Sequence, residues 1–134
     1  MAKQFSWPVR VYYEDTDAGG IVYYGNYLKF MERARTEWLR SYGIAVAKLA
    51  DTDRLMFTVR AIELDFLKPA RLSDNLDVSI AIRRMRKVSV ELDQAIVRAG
   101  DVLCTGQVRL ACVDVNTLKR KAMPKTLMGE TQSV

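Results

Sequence analysis

The sequence contains no histidine. That absence removes Ser-His and Cys-His nucleophile pairs, imidazole general bases and most zinc sites, so catalysis must rest on carboxylates, backbone dipoles, hydroxyls or lysine. Cysteine is scarce as well. Cys104 and Cys112 stand eight residues apart in what reads as one strand, which holds them roughly 26 Å from each other, too far to bridge. Unpaired thiols fit a reducing compartment, the alternative being a bridge between subunits. No uncharged apolar run approaches the ~18 residues of a membrane span. The opening MAKQFSWPVR has no apolar signal core, so a cytoplasmic location is expected. The 3 prolines and 7 glycines never gather into a linker, and the 134 residues read as a single domain, 1–134.

Against these absences, hydrophobic residues make up 49% and charged residues 28%, the balance of a chain that folds around a core. The formal charge of +5 suits an anionic partner: nucleic acid, a membrane surface or a phosphorylated ligand. No interleaving of aromatic and basic residues is present, so nucleic acid is not the expected partner.

Residues 8–14 alternate as a strand, and DTDAGG at 15–20 is dense in turn formers. From Asn26 to Tyr42 the residues Tyr27, Leu28, Phe30, Met31, Ala34, Trp38, Leu39 and Tyr42 recur at helical spacing, with Asn26 as N-cap and Gly43 as stop. Arg35 projects from within that apolar stripe and needs a partner, for which Glu63 or Asp65 is available in the next strand. Residues 56–67 read as a strand closed by Pro69. Period-two apolar patterns follow over Leu76–Ile82, Val88–Ile96 and Val102–Cys112. No element is assigned beyond Pro124. One strand, one long helix and four strands joined by short turns make an α+β chain with an antiparallel meander. Leu103, Ala111 and Val113 add apolar character to a second sheet face, which is expected to meet another copy.

Glu14, Asp15 and Asp17 set three carboxylates just ahead of Gly19, Gly20 and a helix start. The loop can be an ordinary set of Asx turns. A calcium loop is a second possibility, since Asp15, Asp17, Gly20 and Val22 match the opening spacing of an EF-hand. It fails because position twelve is Asn26 and a strand precedes it, so no metal site is expected. The third possibility is catalytic. A crowded carboxylate is a good base or nucleophile, and backbone N–H groups of Tyr24, Gly25 or Asn26 at the helix start can hold an oxyanion.

The stretch Tyr13-Glu14-Asp15-Thr16-Asp17-Ala18-Gly19-Gly20-Ile21-Val22-Tyr23-Tyr24-Gly25-Asn26-Tyr27 resembles the active-site signature of the 4-hydroxybenzoyl-CoA thioesterase family. The likeness continues through Glu32-Arg33-Ala34-Arg35-Thr36-Glu37, Pro69-Ala70 with Asp74, and Met123-Pro124-Lys125, and is closest to the branch of Tol-Pal system-associated acyl-CoA thioesterases. It implies a hotdog fold, an antiparallel five-stranded sheet wrapped around one long central helix, paired into homodimers or homotetramers with active sites at subunit interfaces. It further implies that Asp17 attacks the thioester or activates water, that the backbone N–H of Tyr24 polarises the carbonyl, and that no cofactor takes part. Many members of the branch carry His where this chain has Tyr24. Hotdog dehydratase chemistry uses a histidine, and this chain has none.

Arg83, Arg84, Arg86 and Lys87 form a basic cluster between two strands, and Lys119, Arg120 and Lys121 form another. They can be solvated turn charges. In similar thioesterases the cluster matching Arg86 and Lys87 contacts the nucleotide end of coenzyme A, whose phosphates suit Arg and Lys. Acyl-CoA hydrolysis is therefore the expected function. The competing expectation is a non-catalytic module binding acyl-CoA or acyl carrier protein, whose acidity would also suit a basic surface.

Overall fold

A computed structural model describes residues 4–132. Residues 1–3, part of the stretch read as lacking a signal core, and residues 133–134 lie outside the described residues. The strands are β1 (Phe5–Arg10), β2 (Leu55–Phe66), β3 (Asn75–Met85), β4 (Ser89–Arg98) and β5 (Asp101–Asp114), and the helices are α1 (Asn26–Ser41), α2 (Val46–Asp53) and α3 (Lys125–Gln132). The strands form one antiparallel sheet in the order β1-β3-β4-β5-β2. This is the α+β architecture that the alternating patterns predict.

The sheet packs on α1, whose Tyr27, Phe30, Met31, Ala34, Trp38 and Leu39 are buried against Leu76, Val78 and Ile80 of β3, Leu92 and Ile96 of β4 and their neighbours. Period two in the strands and period 3.6 in the helix leave one apolar face on each, and water drives the two faces together. Past the helix end, Gly43 takes φ 81°, a left-handed conformation that costs glycine nothing and turns the chain away. Among the described residues no helix is long and apolar enough to cross a membrane.

Several expectations change. β1 covers Phe5–Arg10 instead of 8–14, and Pro8 sits inside it because an edge strand does not need every N–H. Residues 13–15 form a 3-10 turn instead of strand. Asn26 is the first helical residue, and Gly25 takes the N-cap position. Two helices went unread. α2 buries only Leu49, too little for a period to register, and α3 follows Pro124 with Leu127 fully buried.

Arg83 and Arg84 belong to β3 and not to a turn. Arg83 is the extra residue of a bulge, where Ile82 pairs with Leu92 and Arg84 with Glu91, and it binds Asp93 at 3.0 Å. Leu103 is the bulged residue of β5, between Ile96↔Cys104 and Val97↔Val102, so it and Cys104 are both buried. Ala111 and Val113 are buried where the chain returns beside the end of β5, with Arg120 bridged to Val113 and the Lys121 N–H donating to the Cys112 carbonyl at 2.8 Å. These three residues are therefore already covered within one chain. Cys104 and Cys112 lie apart in β5, and burial pushes both thiols up to about 11.

The partner of Arg35 is neither Glu63 nor Asp65. Leu64 faces the helix beside Met31 over Gly106, so strand alternation turns Glu63 and Asp65 to the opposite face. Arg35 Nη1 instead donates to Gln94 Oε1 at 2.9 Å, and Gln94 Nε2 donates to the Met31 carbonyl at 3.2 Å.

Candidate active site

The chain between β1 and α1 folds into a small hairpin. The Asp17 N–H donates to the Ile21 carbonyl at 2.8 Å, Thr16 and Val22 form a bridge, and the Tyr23 N–H donates to the Asp15 carbonyl at 3.0 Å. Asp15 and Asp17 then diverge. Asp15 is buried, and its Oδ2 accepts from the Tyr12 N–H at 2.8 Å while its carbonyl also accepts from Asn26 Nδ2 at 2.8 Å. Asp17 is exposed at the hairpin tip. Its Oδ1 accepts from the Gly19 N–H at 2.8 Å, an Asx turn, and its Oδ2 takes no partner among the described residues. Turn-building and a free carboxylate oxygen coexist in one side chain.

Two arms of that hairpin lead into α1. No side chain caps the helix start. The Asn26 N–H donates to the Tyr23 carbonyl at 2.9 Å, and one N–H of its side-chain amide donates to the Asp15 carbonyl. The N–H groups of Tyr24 and Gly25 donate to nothing among the described residues. They sit at the positive end of the helix dipole, a ready seat for a developing negative charge. Beside them the rings of Tyr24 and Phe66 lie 6.2 Å apart and those of Tyr27 and Phe66 5.5 Å apart.

Residues 69–74 clamp the helix start to the hairpin. Tyr27 Oη accepts from the Ala70 N–H at 2.9 Å, and the Ala70 carbonyl accepts from the Val22 N–H at 2.8 Å. Asp74 Oδ2 accepts from the Arg71 N–H at 2.8 Å and from Arg98 Nη1 at 2.7 Å. Burial pushes the Asp74 carboxyl up, but the hydrogen bonds from Arg98 and the Arg71 N–H outweigh it and hold the group below the usual carboxylate range. A carboxylate depressed on folding stabilises above its unfolded pKa, and that contribution is lost as pH falls through the folded value. Asp74→Asn is therefore expected to cost about 1 kcal/mol at neutral pH and to flatten the loss of Tm below about pH 4, read by thermal unfolding across that range.

Arg86 and Lys87 are not brought to this site. β3 starts at Asn75, beside the clamp, and ends at Met85, so Arg86 lies roughly 35 Å along the sheet from the hairpin. The sheet instead brings one member of each basic cluster together at its far end. Arg60, Arg86, Arg109 and Arg120 line a cavity of about 290 Å³ with Glu91, and Arg60 is the extra residue of a β2 bulge. Lys87 is exposed beside it. The clamp and this four-arginine cavity depend on contacts between distant strands. Only the Pro69-Ala70 break with Asp74 marked the clamp in the sequence.

A family model described as the thioesterase-like superfamily matches residues 11–130. An acyl-CoA thioester hydrolase named YbgC from Escherichia coli O6:H1 is 44% identical over 127 residues, 94% of each chain. An acyl-CoA thioesterase, also named YbgC, from Haemophilus influenzae is 41% identical over 121 residues, covering 90% of this chain and 89% of that one. Among solved structures, a probable thioesterase from Bartonella henselae superposes with a TM-score of 0.87 at 32% identity, covering 91% of this chain and all of the other. By its sequence over residues 11–130 and by its five-stranded sheet on one long helix, the chain belongs to the thioesterase-like superfamily.

Proposed function

We propose that the chain hydrolyses an acyl-CoA thioester to a free acid and coenzyme A, with Asp17, Tyr24 and Gly25 as its catalytic groups. One observation carries this assignment: a single hairpin presents a carboxylate oxygen and ends at two N–H groups of a helix start, none of them with a partner among the described residues. Those N–H groups hold the carbonyl oxygen as it becomes an oxyanion. Asp17 Oδ2 either adds to the carbonyl carbon, expelling the CoA thiolate and leaving an anhydride for water to open, or draws a proton from water as it adds. Either route consumes one water and needs no imidazole or cofactor. The test is purified protein with a panel of acyl-CoAs and a thiol reagent. Release of free CoA is expected, whereas saturable binding without turnover would instead favour a binding module.

Charge and the open strand edge support a dimer as the quaternary arrangement. The helix-facing residues Val59, Ile62 and Phe66 of edge strand β2 remain 45%, 37% and 51% exposed, because α1 lies over β1, β3 and β4. A second copy paired antiparallel along β2 covers this stripe. It also sets the basic far end of one copy beside the carboxylate-rich hairpin of the other. Arg86 and Lys87 then hold the CoA phosphates for the partner's hairpin, which accounts for their separation from Asp17 in one chain. Ile62→Lys is expected to shift the species in sedimentation velocity to monomer and to raise KM for acyl-CoA at least ~10-fold, the loss of phosphate contacts. Acyl carrier protein remains the alternative carrier, and the two unpaired thiols fit a cytoplasmic setting.

A further inference from the structure

Two consecutive tyrosines usually send their rings apart, yet the rings of Tyr23 and Tyr24 lie 4.7 Å from centroid to centroid, tilted by 39°. Gly25 is what permits this. Its φ of −63° suits any residue, so its backbone does not require glycine. A Cβ there, however, would come within 2.8 Å of Tyr23 Cε2 and 3.3 Å of its Cδ2. The Tyr23 ring therefore lies against the bare Cα of the helix cap. The Tyr24 side chain beside it pushes the Tyr23 phenol up. From Tyr24 the contacts continue to Phe66, edge-on at 6.2 Å, and from Phe66 to Tyr27 at 5.5 Å.

We infer that Tyr23 is a positioning residue of the thioesterase site: seated on Gly25 and packed against Tyr24, it fixes the Tyr24 ring against Phe66 as the wall on which the acyl group rests beside the free N–H groups. The inference rests on the proposed function. Aromatic rings give large contact area at little entropic cost, but only when their rotamers are held. Both rings are half or more exposed, at 50% and 63%, so burial alone does not hold them. Their contact with each other and the seat on Gly25 do. The role concerns ground-state seating of the acyl group, so it belongs in KM more than in kcat.

The test combines kinetics with a thermal cycle. In Tyr23→Ala the ring that braces Tyr24 goes. KM for acyl-CoA is expected to rise about fivefold with kcat within about twofold and Tm within about 2 °C of wild type. An unchanged KM would remove Tyr23 from the site while leaving the thioesterase standing. Gly25→Ala is expected to lower Tm in the wild-type background and to be neutral in Tyr23→Ala, where the ring it collides with is gone. Equal losses in both backgrounds would overturn the seat on Gly25, and this arm needs no turnover. A wild-type chain that hydrolyses no acyl-CoA would fail on the proposed function itself, a result distinct from either of the others.

Discussion

Asp17→Asn is expected to lower kcat for acyl-CoA hydrolysis by about 10³-fold or more, with Tm within about 2 °C of wild type. Asparagine is the informative substitution here because Asp17 does two jobs with two oxygens. Oδ1 accepts from the Gly19 N–H at 2.8 Å, and an amide carbonyl accepts that bond equally well. Oδ2 has no partner among the described residues, and in Asn it becomes an NH2 that neither attacks a carbonyl nor takes a proton from water. The hairpin therefore survives while the reacting oxygen is lost. Asp17→Ala removes both and should also cost about 1 kcal/mol through the turn, so the pair of variants separates chemistry from folding. Because the chain has no histidine, no imidazole stands by to supply the missing base. Full retained rate in Asp17→Asn would take Asp17 out of the reaction.

The strands and α1 were legible because their signal is local: burial on one face repeats at a fixed period, and Leu76, Val78 and Ile80 or Phe30, Ala34 and Trp38 report it without knowledge of their neighbours. The Asp17 hairpin was legible for a similar reason, since its turn formers and the helix start are contiguous. Residue pairs set by sheet register were not. Gln94 became the partner of Arg35 only because β4 passes beneath α1, and the arginines of β2, β5, the turn after β3 and the C-terminal return met only because those segments lie side by side there. Bulges were the other blind spot. The extra residues Arg60, Arg83 and Leu103 each leave the chain's alternation nearly intact while shifting which side chains face inward.

Gln94→Leu is expected to destabilise the fold by about 3 kcal/mol, a fall in Tm of roughly 10 °C. Gln94 is 2% exposed and Arg35 9% exposed. Burial pushes the Arg35 guanidinium below its usual pKa, and Glu32, one turn away, offsets this only in part. No carboxylate lies within ion-pair distance of it among the described residues, so the Gln94 carbonyl is the dipole that compensates a buried cation. Leucine removes that dipole and also frees the Met31 carbonyl from Gln94 Nε2. Arg35→Met removes the charge and leaves a flexible apolar side chain of similar length, and it should cost less than Gln94→Leu. The double variant is the decisive arm. With both polar groups replaced, the interior has no charge to compensate, and Arg35→Met/Gln94→Leu is expected to recover most of the stability lost in Gln94→Leu alone. Additive losses, measured by denaturant unfolding of all four proteins, would mean that Gln94 acts through packing and that the guanidinium finds its compensation elsewhere.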